Sequence, residues 1–507
     1  MTTVIATSGL FLAMLTGCAG ADEGGTAGDK PTLTIVTPNP PQSLDPSLSS
    51  GGQESVYPAT AYQGLLHAVG NGEVEPGLAS DYEWVGDSNT QLKLTLRPNL
   101  KFSDGEVLDS AAVKTWIEHF QQQGGNHAYA AAPIESVDTP DDTTVVLNLN
   151  APTPQMPADL TEYTGLGAIG SPAAIDAGDN FGQQTFGAGP FMLSADGTVE
   201  GSTYTYVPNP YYYDPDAIDF GKVVIKVISD ASTAFASVQS GQVDVTYGDA
   251  ANMQAAEGAG LLQAAFPVNV AGMWTSDPDG TIIPAFADVR VRQALQYAVD
   301  RDAIAAAAAP GSGTATVQAV TAGSLGYDET LEETYPYDPA RAKELLSEAG
   351  YGDGFDFTLV AAPGTDHSVI AQAIADQLAK VGVNVTLRTP ATFTEFVQDI
   401  LSGEYAAIVI GLGLIGMPTT MDNLYDIPGL VNWRGSAYPE LVEMAASAAA
   451  LSSKGADAAW REVNAAAVDA AYQMPIATTS SVYYWRDTVD GVADSYLLNP
   501  AYLTSAK

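Results

Sequence analysis

The chain predicts an α/β fold with more than one lobe, and three observations carry that expectation. Its 507 residues exceed the roughly 250–300 at which a single hydrophobic core stops growing. Its second half alternates strands and helices in a βαβαβ order, which packs helices on a largely parallel or mixed sheet. No repeat with a period of about 20–50 residues is visible, so a solenoid is not indicated.

The elements follow from hydrophobic spacing and punctuation. Leu33-Thr-Ile-Val36 alternates as a strand, and Asp45-Pro46 opens a loop rich in Ser and Gly from Ser47 to Gly52. From Glu54 to Leu66 the spacing becomes helical, with Val56, Ala59, Tyr62, Leu65 and Leu66 on one face. Leu92 to Arg97 alternates as a half-exposed strand, Asp104-Gly105 is a turn, and Ser110 is placed to cap a helix carrying Val113, Trp116, Ile117 and Phe120. Thr144 to Leu149 is another alternating strand. Further on, Asp338-Pro339 pairs an N-cap with proline at the first helical position, and Gly350 closes that helix. Strand 357–360, a helix from about Asp366 to Lys380 ended by Gly382, strand 384–388, a helix around 393–401 and the apolar strand 406–410 complete the alternation.

Composition narrows the class of partner. Sixty acidic against 19 basic residues give a net charge of −41, which argues against nucleic acid and anionic lipid surfaces, since both are bound by cations. Acid excess with only 16% charged residues suits a solubilised surface over an apolar interior, as in an extracytoplasmic or salt-tolerant protein. The lone cysteine, Cys18, excludes an internal disulfide framework and cysteine-based metal sites. It follows a short apolar run, Gly9 to Leu15, that fits a signal-peptide core and is too short to span a bilayer. Leu15-Thr-Gly-Cys18 resembles a bacterial lipobox, which implies cleavage of residues 1–17 and lipidation of Cys18, with residues 18–32 as a flexible tether. No Lys or Arg precedes the apolar run, a departure from the usual basic start of a secretory signal.

Several motifs lack the context their chemistry needs. Gly411-Leu-Gly-Leu-Ile-Gly416 follows an apolar strand as a dinucleotide fingerprint does, but Pro418 and the threonines after it disfavour the helix that should hold a pyrophosphate, and no acid stands where a ribose partner belongs. The segment reads as a turn, or as a loop facing a ligand. Thr275 to Gly280 imitates a calcium loop, yet Phe286 stands where the bidentate Glu is required, so a turn is expected. His67, His119, His127 and His367 show no metal-ligand spacing and read as surface or cap residues. Neither a G-x-S-x-G elbow nor an H-E-x-x-H pair occurs, so hydrolase chemistry has no anchor in the sequence. No catalytic residue, metal or cofactor is assigned.

A series of segments, in order, carries a resemblance. They are Ser43-Leu-Asp-Pro46, Ala61 to Leu66, Glu75-Pro-Gly-Leu-Ala79, Leu94 to Gly105 with its Phe-x-Asp-Gly turn, Gly187-Ala-Gly-Pro-Phe191, Asn209 to Tyr213 and Val238 to Asp244. Asp288 to Leu295, Tyr297 to Arg301, and Tyr337 to Leu346 with Ala349-Gly-Tyr351 follow. Together they resemble the family 5 extracytoplasmic solute-binding proteins of the dipeptide, oligopeptide and nickel class, which feed ATP-binding-cassette importers. The resemblance implies a type II periplasmic-binding-protein-like fold. Its two lobes are joined by two strand crossings and close on a ligand about a hinge. The first lobe is expected from 33–268 and 477–507, with an extra subdomain at about 51–180, and the second from 269–476. It also implies a non-enzymatic, monomeric protein outside the cytoplasm, held to the membrane only by its lipid, which passes a peptide or other small solute to a permease.

The same resemblance points to ligand-binding candidates. Gly52, Gln53 and Glu54 belong to a loop that lines the family's cleft, and crossing-strand residues Met273 and Trp274 are expected near the hinge, with Trp274 open to either a core or a ligand role. The second lobe offers Asp366 and His367, Asp366 serving equally well as a helix N-cap, and Leu412, Leu414, Ile415, Met417 and Asp422. Arg290, Arg292 and Arg301 are expected in structural ion pairs. Dipeptide binders place a Trp and an Asp in the loop after the strand, the carboxylate pairing with the peptide α-ammonium, whereas this loop, Leu412 to Pro418, is apolar. That departure leaves open a compensating acid at Asp422 or Glu54, a blocked or modified peptide, a sugar or another solute. A secreted hydrolase and a sensory or chaperone-like module on the same fold are the alternatives.

Overall fold

The computed structural model describes residues 30–49, 52–69, 73–125, 127–248, 250–414, 416–426, 431–451 and 453–506. The residues 1–17 read as a signal peptide, most of the tether, Cys18 and Ile415 therefore lie outside the described residues. Among the described residues, one eleven-stranded mixed sheet passes through the whole molecule. Its order is Val383–Arg388, Phe355–Ala361, Ala407–Leu412, Leu262–Thr275, Met474–Trp485, Val245–Gly248, Thr32–Thr37, Lys222–Val227, Thr203–Pro208 and Phe191–Val199, with Thr314–Ala315 added beside Met474–Trp485.

The second half has the βαβαβ unit that the spacing predicts. Phe355–Ala361 pairs parallel with both Val383–Arg388 and Ala407–Leu412. Parallel neighbours need crossovers, supplied here by the helices Thr365–Ala379 and Phe393–Leu401. Asp338 accepts from the amides of Ala340 and Arg341 at the head of helix Pro339–Glu348, and Gly350 takes a positive φ of 88° just past its end. Two expectations change in detail. The cap of helix Ser110–Gln123 is Asp109, while the Ser110 hydroxyl donates to the Asp141 carbonyl. The helix expected from Glu54 to Leu66 spans only Val56–Ala61, because Leu66–Val69 leaves it to pair with Glu73–Pro76. Val56, Ala59, Tyr62, Leu65 and Leu66 are all buried, so a helix and a following strand together imitate one helical stripe.

A separate four-stranded sheet, Ala79–Trp84, Gln91–Leu96, Thr144–Leu149 and Ile134–Asp141 in spatial order, forms the extra subdomain of the first lobe. Every second residue of Gln91–Leu96 and Thr144–Leu149 is buried, as one covered face requires. Val113, Trp116, Ile117 and Phe120 of helix Ser110–Gln123 join the core there. The Gly187-Ala-Gly segment lies against the end of helix Val56–Ala61 so closely that a Cβ on Gly189 would fall 2.6 Å from the Ala61 carbonyl carbon, which explains its glycine.

The cores divide the chain in two. Two gather residues from Leu33 to Phe266 and from Val482 to Leu503, and the others gather residues from Val270 to Ala477. His67 helps hold the C-terminal segment to the first lobe. It is buried, bonds Glu162 at 2.7 Å and stacks on Tyr502 at 3.5 Å, while Asn499 also donates to Glu162. His67 is therefore a packed core residue and not a surface one.

Candidate ligand cleft between the lobes

Two strands cross from lobe to lobe, Leu262–Thr275 and Met474–Trp485, paired antiparallel from Leu262↔Trp485 to Met273↔Met474. Core membership changes between Val268 and Val270 on the first and between Ala477 and Val482 on the second. The ladder slips in register at Pro267/Asn269 and again at Ala271/Gly272. Irregularities of this kind bend and twist a strand locally, so they sit where a hinge needs them. A Cβ at Gly272 would lie 2.4 Å from the Met474 carbonyl oxygen, so the strands approach there only because the residue is glycine.

Met273 and Trp274 lie beyond this change of core, inside the second lobe. The Trp274 indole is fully buried and donates to the Ile410 carbonyl at 2.7 Å, which makes it a core residue, with no face left for a ligand. Of the three arginines expected in ion pairs, only Arg290 makes one, with Asp288. Arg292 donates to the carbonyls of Ala470 and Phe286 and lies over the Tyr472 ring, and Arg301 donates to the Pro475 carbonyl. Buried guanidinium groups are satisfied here by carbonyl dipoles, without burying a second formal charge. Burial pushes Arg301 down to about 10. Both arginines thereby fix the chain entering the second crossing strand.

Two cavities open between the lobes. The larger, about 700 Å³, is lined by Gln53, Ser229 and Tyr247 from the first lobe, Ala309, Asp366 and Val369 from the second, and Thr479 and Ser480 of the crossing strand. The other, about 500 Å³, is lined by Asp159, Tyr163 and Tyr496 from the first lobe and by Ser324, Gly413 and Thr419 from the second. Both volumes fall within the range of small-molecule sites. His367, half-buried, accepts from the Gly411 amide at 3.0 Å through Nε2 and donates through Nδ1 to the Pro363 carbonyl at 3.2 Å. That pair of bonds ties the head of helix Thr365–Ala379 to the end of strand Ala407–Leu412.

The other candidates divide between cleft and core. Gly52 is exposed with a φ of +57°, and nothing lies within 4 Å of where its Cβ would stand. The Gln53 carbonyl accepts from the Tyr247 hydroxyl, and Glu54 accepts from the Gln42 amide at 3.3 Å. Asp366 is no N-cap, since Gly364 precedes the helix; its carboxylate lies 3.6 Å from His367 Nε2. Leu412 is half-buried at the strand end, whereas Leu414 and Met417 are buried among the residues of the second lobe. Met417–Met421 is a short helix in spite of Pro418, because proline in the first turn costs no hydrogen bond. Asp422 begins the π-helical segment Asp422–Asp426 that follows it. Thr275 to Gly280 is a turn, with the Asp277 carboxylate accepting from the amides of Thr281, Ile282 and Ile283.

Asp159, Tyr129 and Tyr163 were not singled out by the sequence. Asp159 ends the short helix Met156–Asp159, where an acid ordinarily reads as solvated. Burial and the like charge of Asp422 hold its carboxyl well above the usual carboxylate range.

Two α/β lobes sharing a sheet through two crossing strands, with cavities walled from both sides, define a solute-binding protein that encloses its ligand. The chain belongs to the bacterial extracellular solute-binding proteins, family 5, whose middle-region model matches residues 73–430. It is 27% identical to heme-binding protein A of Haemophilus influenzae over 424 residues, 75% of this chain and 74% of that one. It is also 27% identical to the glutathione-binding protein GsiB of Salmonella paratyphi A over 361 residues, 68% of this chain and 66% of that protein. Its fold matches the periplasmic binding protein AgaA of A. tumefacien R10, solved with agropinic acid, with a TM-score of 0.77 at 23% identity, covering 94% of this chain and 99% of that one.

Proposed function

We propose that this protein captures a small solute between its lobes and delivers it to the permease of an ATP-binding-cassette importer, as a monomer that breaks no bond in its cargo. The observation that carries this reading is the 500 Å³ cavity, walled by Asp159 and Tyr163 on one side and by Gly413, Gly416, Pro418 and Thr419 on the other. A ligand there touches both lobes at once, so it favours the closed arrangement by its differential contacts. The ligands named for the relatives, heme, glutathione and agropinic acid, share no scaffold, so the solute is assigned by the cleft's own chemistry. The apolar side chains Leu414 and Met417 are buried and offer no carboxylate from the loop to a peptide α-ammonium.

Lipidation at Cys18 would hold the mature protein at the outer face of the cell membrane. Among the described residues no helix is long and apolar enough to cross a membrane. Native mass spectrometry of the purified soluble form tests the binding role, because a ligand enclosed on most of its surface co-purifies. Small-angle scattering tests closure. The expected result is a smaller radius of gyration with the co-purified ligand restored; an unchanged radius at saturation refutes hinge closure.

A further inference from the structure

We propose that the solute carries a protonated amine, held in the 500 Å³ cavity by the Asp159 carboxylate among the rings of Tyr129, Tyr163 and Tyr496. The inference rests on the reading of that cavity as the ligand site. Asp159 is only 9% exposed and lines the cavity. No described residue gives its carboxylate a hydrogen bond or a salt bridge, and the like charge of Asp422 acts on it from the opposite lobe. Burying a carboxylate without a partner is costly, so an acid kept in this position lacks the group it is built to meet. No Lys, Arg or His is among the described residues lining the cavity.

The walls suit a cation in a second, independent way. Tyr82, Trp84, Tyr129, Tyr163 and Tyr496 all line the same space. Aromatic faces attract organic cations through the ring quadrupole, an attraction an anionic group does not share. The net charge of −41 adds a long-range field that favours cationic and disfavours anionic cargo. Asp159 stands on the lobe opposite Leu412, Leu414 and Met417, so the amine is met from the first lobe, with Asp422 adding negative charge from the second.

The test uses the purified protein and four amines, Ala-Phe, Ala-Ala-Phe, glucosamine and putrescine, each beside its fully N-acetylated form (N,N'-diacetylputrescine for the diamine), in thermal-shift and calorimetric titrations. The expected result is that at least one free amine binds about ten- to a hundred-fold more tightly than its acetylated partner, the range a charge-assisted hydrogen bond supplies. In Asp159→Asn that preference collapses; in Asp422→Asn, which removes the second charge, it weakens without vanishing. Should Asp159→Asn not fold, the Asp422→Asn comparison decides. Acetylated forms binding as tightly as the amines overturn the amine assignment and leave the solute-binding reading standing. A preference that survives Asp159→Asn overturns the role of Asp159. No binding by any compound, amine or acetylated, counts against both readings.

Discussion

Asn89 provides the sharpest test of how the lobes hold together. It sits in the turn between strands Ala79–Trp84 and Gln91–Leu96 of the first-lobe subdomain, buried, with a φ of 52°. Its side-chain amide donates to the carbonyls of Ala449 and Leu451, at 2.9 and 2.8 Å, where helix Pro439–Ala449 of the second lobe ends. Terminal carbonyls of a helix have no partner within it, so this contact satisfies groups on one lobe with a donor from the other. Asn89→Gly keeps the positive φ and removes the amide, which separates loss of the latch from backbone strain. Each bond contributes ~0.5–1.5 kcal/mol net, so losing both moves the open–closed equilibrium by about 1–3 kcal/mol, or roughly 5- to 150-fold. Ligand affinity falls by up to the same factor, because only the closed fraction grips the ligand. Scattering and single-molecule distances between labelled lobes measure the shift, with the expected result a larger radius of gyration in Asn89→Gly without ligand. Identical radii and identical affinities in the two proteins would refute the latch.

Three further outcomes are expected. Because the Asp159 carboxyl is raised in the folded state, the native protein holds a proton there that the unfolded chain releases above about pH 4, so this residue's contribution to stability declines as pH rises through the window up to its folded value. Asp159→Asn should therefore gain stability on the ligand-free wild type as pH increases from 4, and denaturant midpoints that track each other at every pH would contradict this. Cys18→Ser should release a correctly folded protein from the membrane, since a lipid chain at this residue is the only anchor assigned; material that still sediments with membranes would show another anchor. Gly272→Ala should cost about 1–3 kcal/mol, because its Cβ would press on the Met474 carbonyl between the crossing strands, and equilibrium unfolding in urea would show no loss if the strands can part there.

Local rules were enough for the elements that build the lobes. The 355–412 alternation, the Asp338-Pro339 cap and the one-sided strands Gln91–Leu96 and Thr144–Leu149 each depend on neighbours within one or two turns, and their spacing shows in the chain itself. The order of short segments from Ser43 to Tyr351 likewise pointed to the family before any contact was known. Tertiary structure decided the rest, because the groups involved are far apart in the chain. Trp274 became core once Ile410 offered it a carbonyl, Arg292 and Arg301 took carbonyls in place of carboxylates, and His67 was buried by Glu162 and Tyr502. The cavity assembles Tyr82, Asp159, Gly413 and Tyr496 from segments of both lobes. An isolated acid in a short helix carries no mark of burial, and whether its charge meets water, a partner or a cavity is fixed only when the second lobe closes off the solvent.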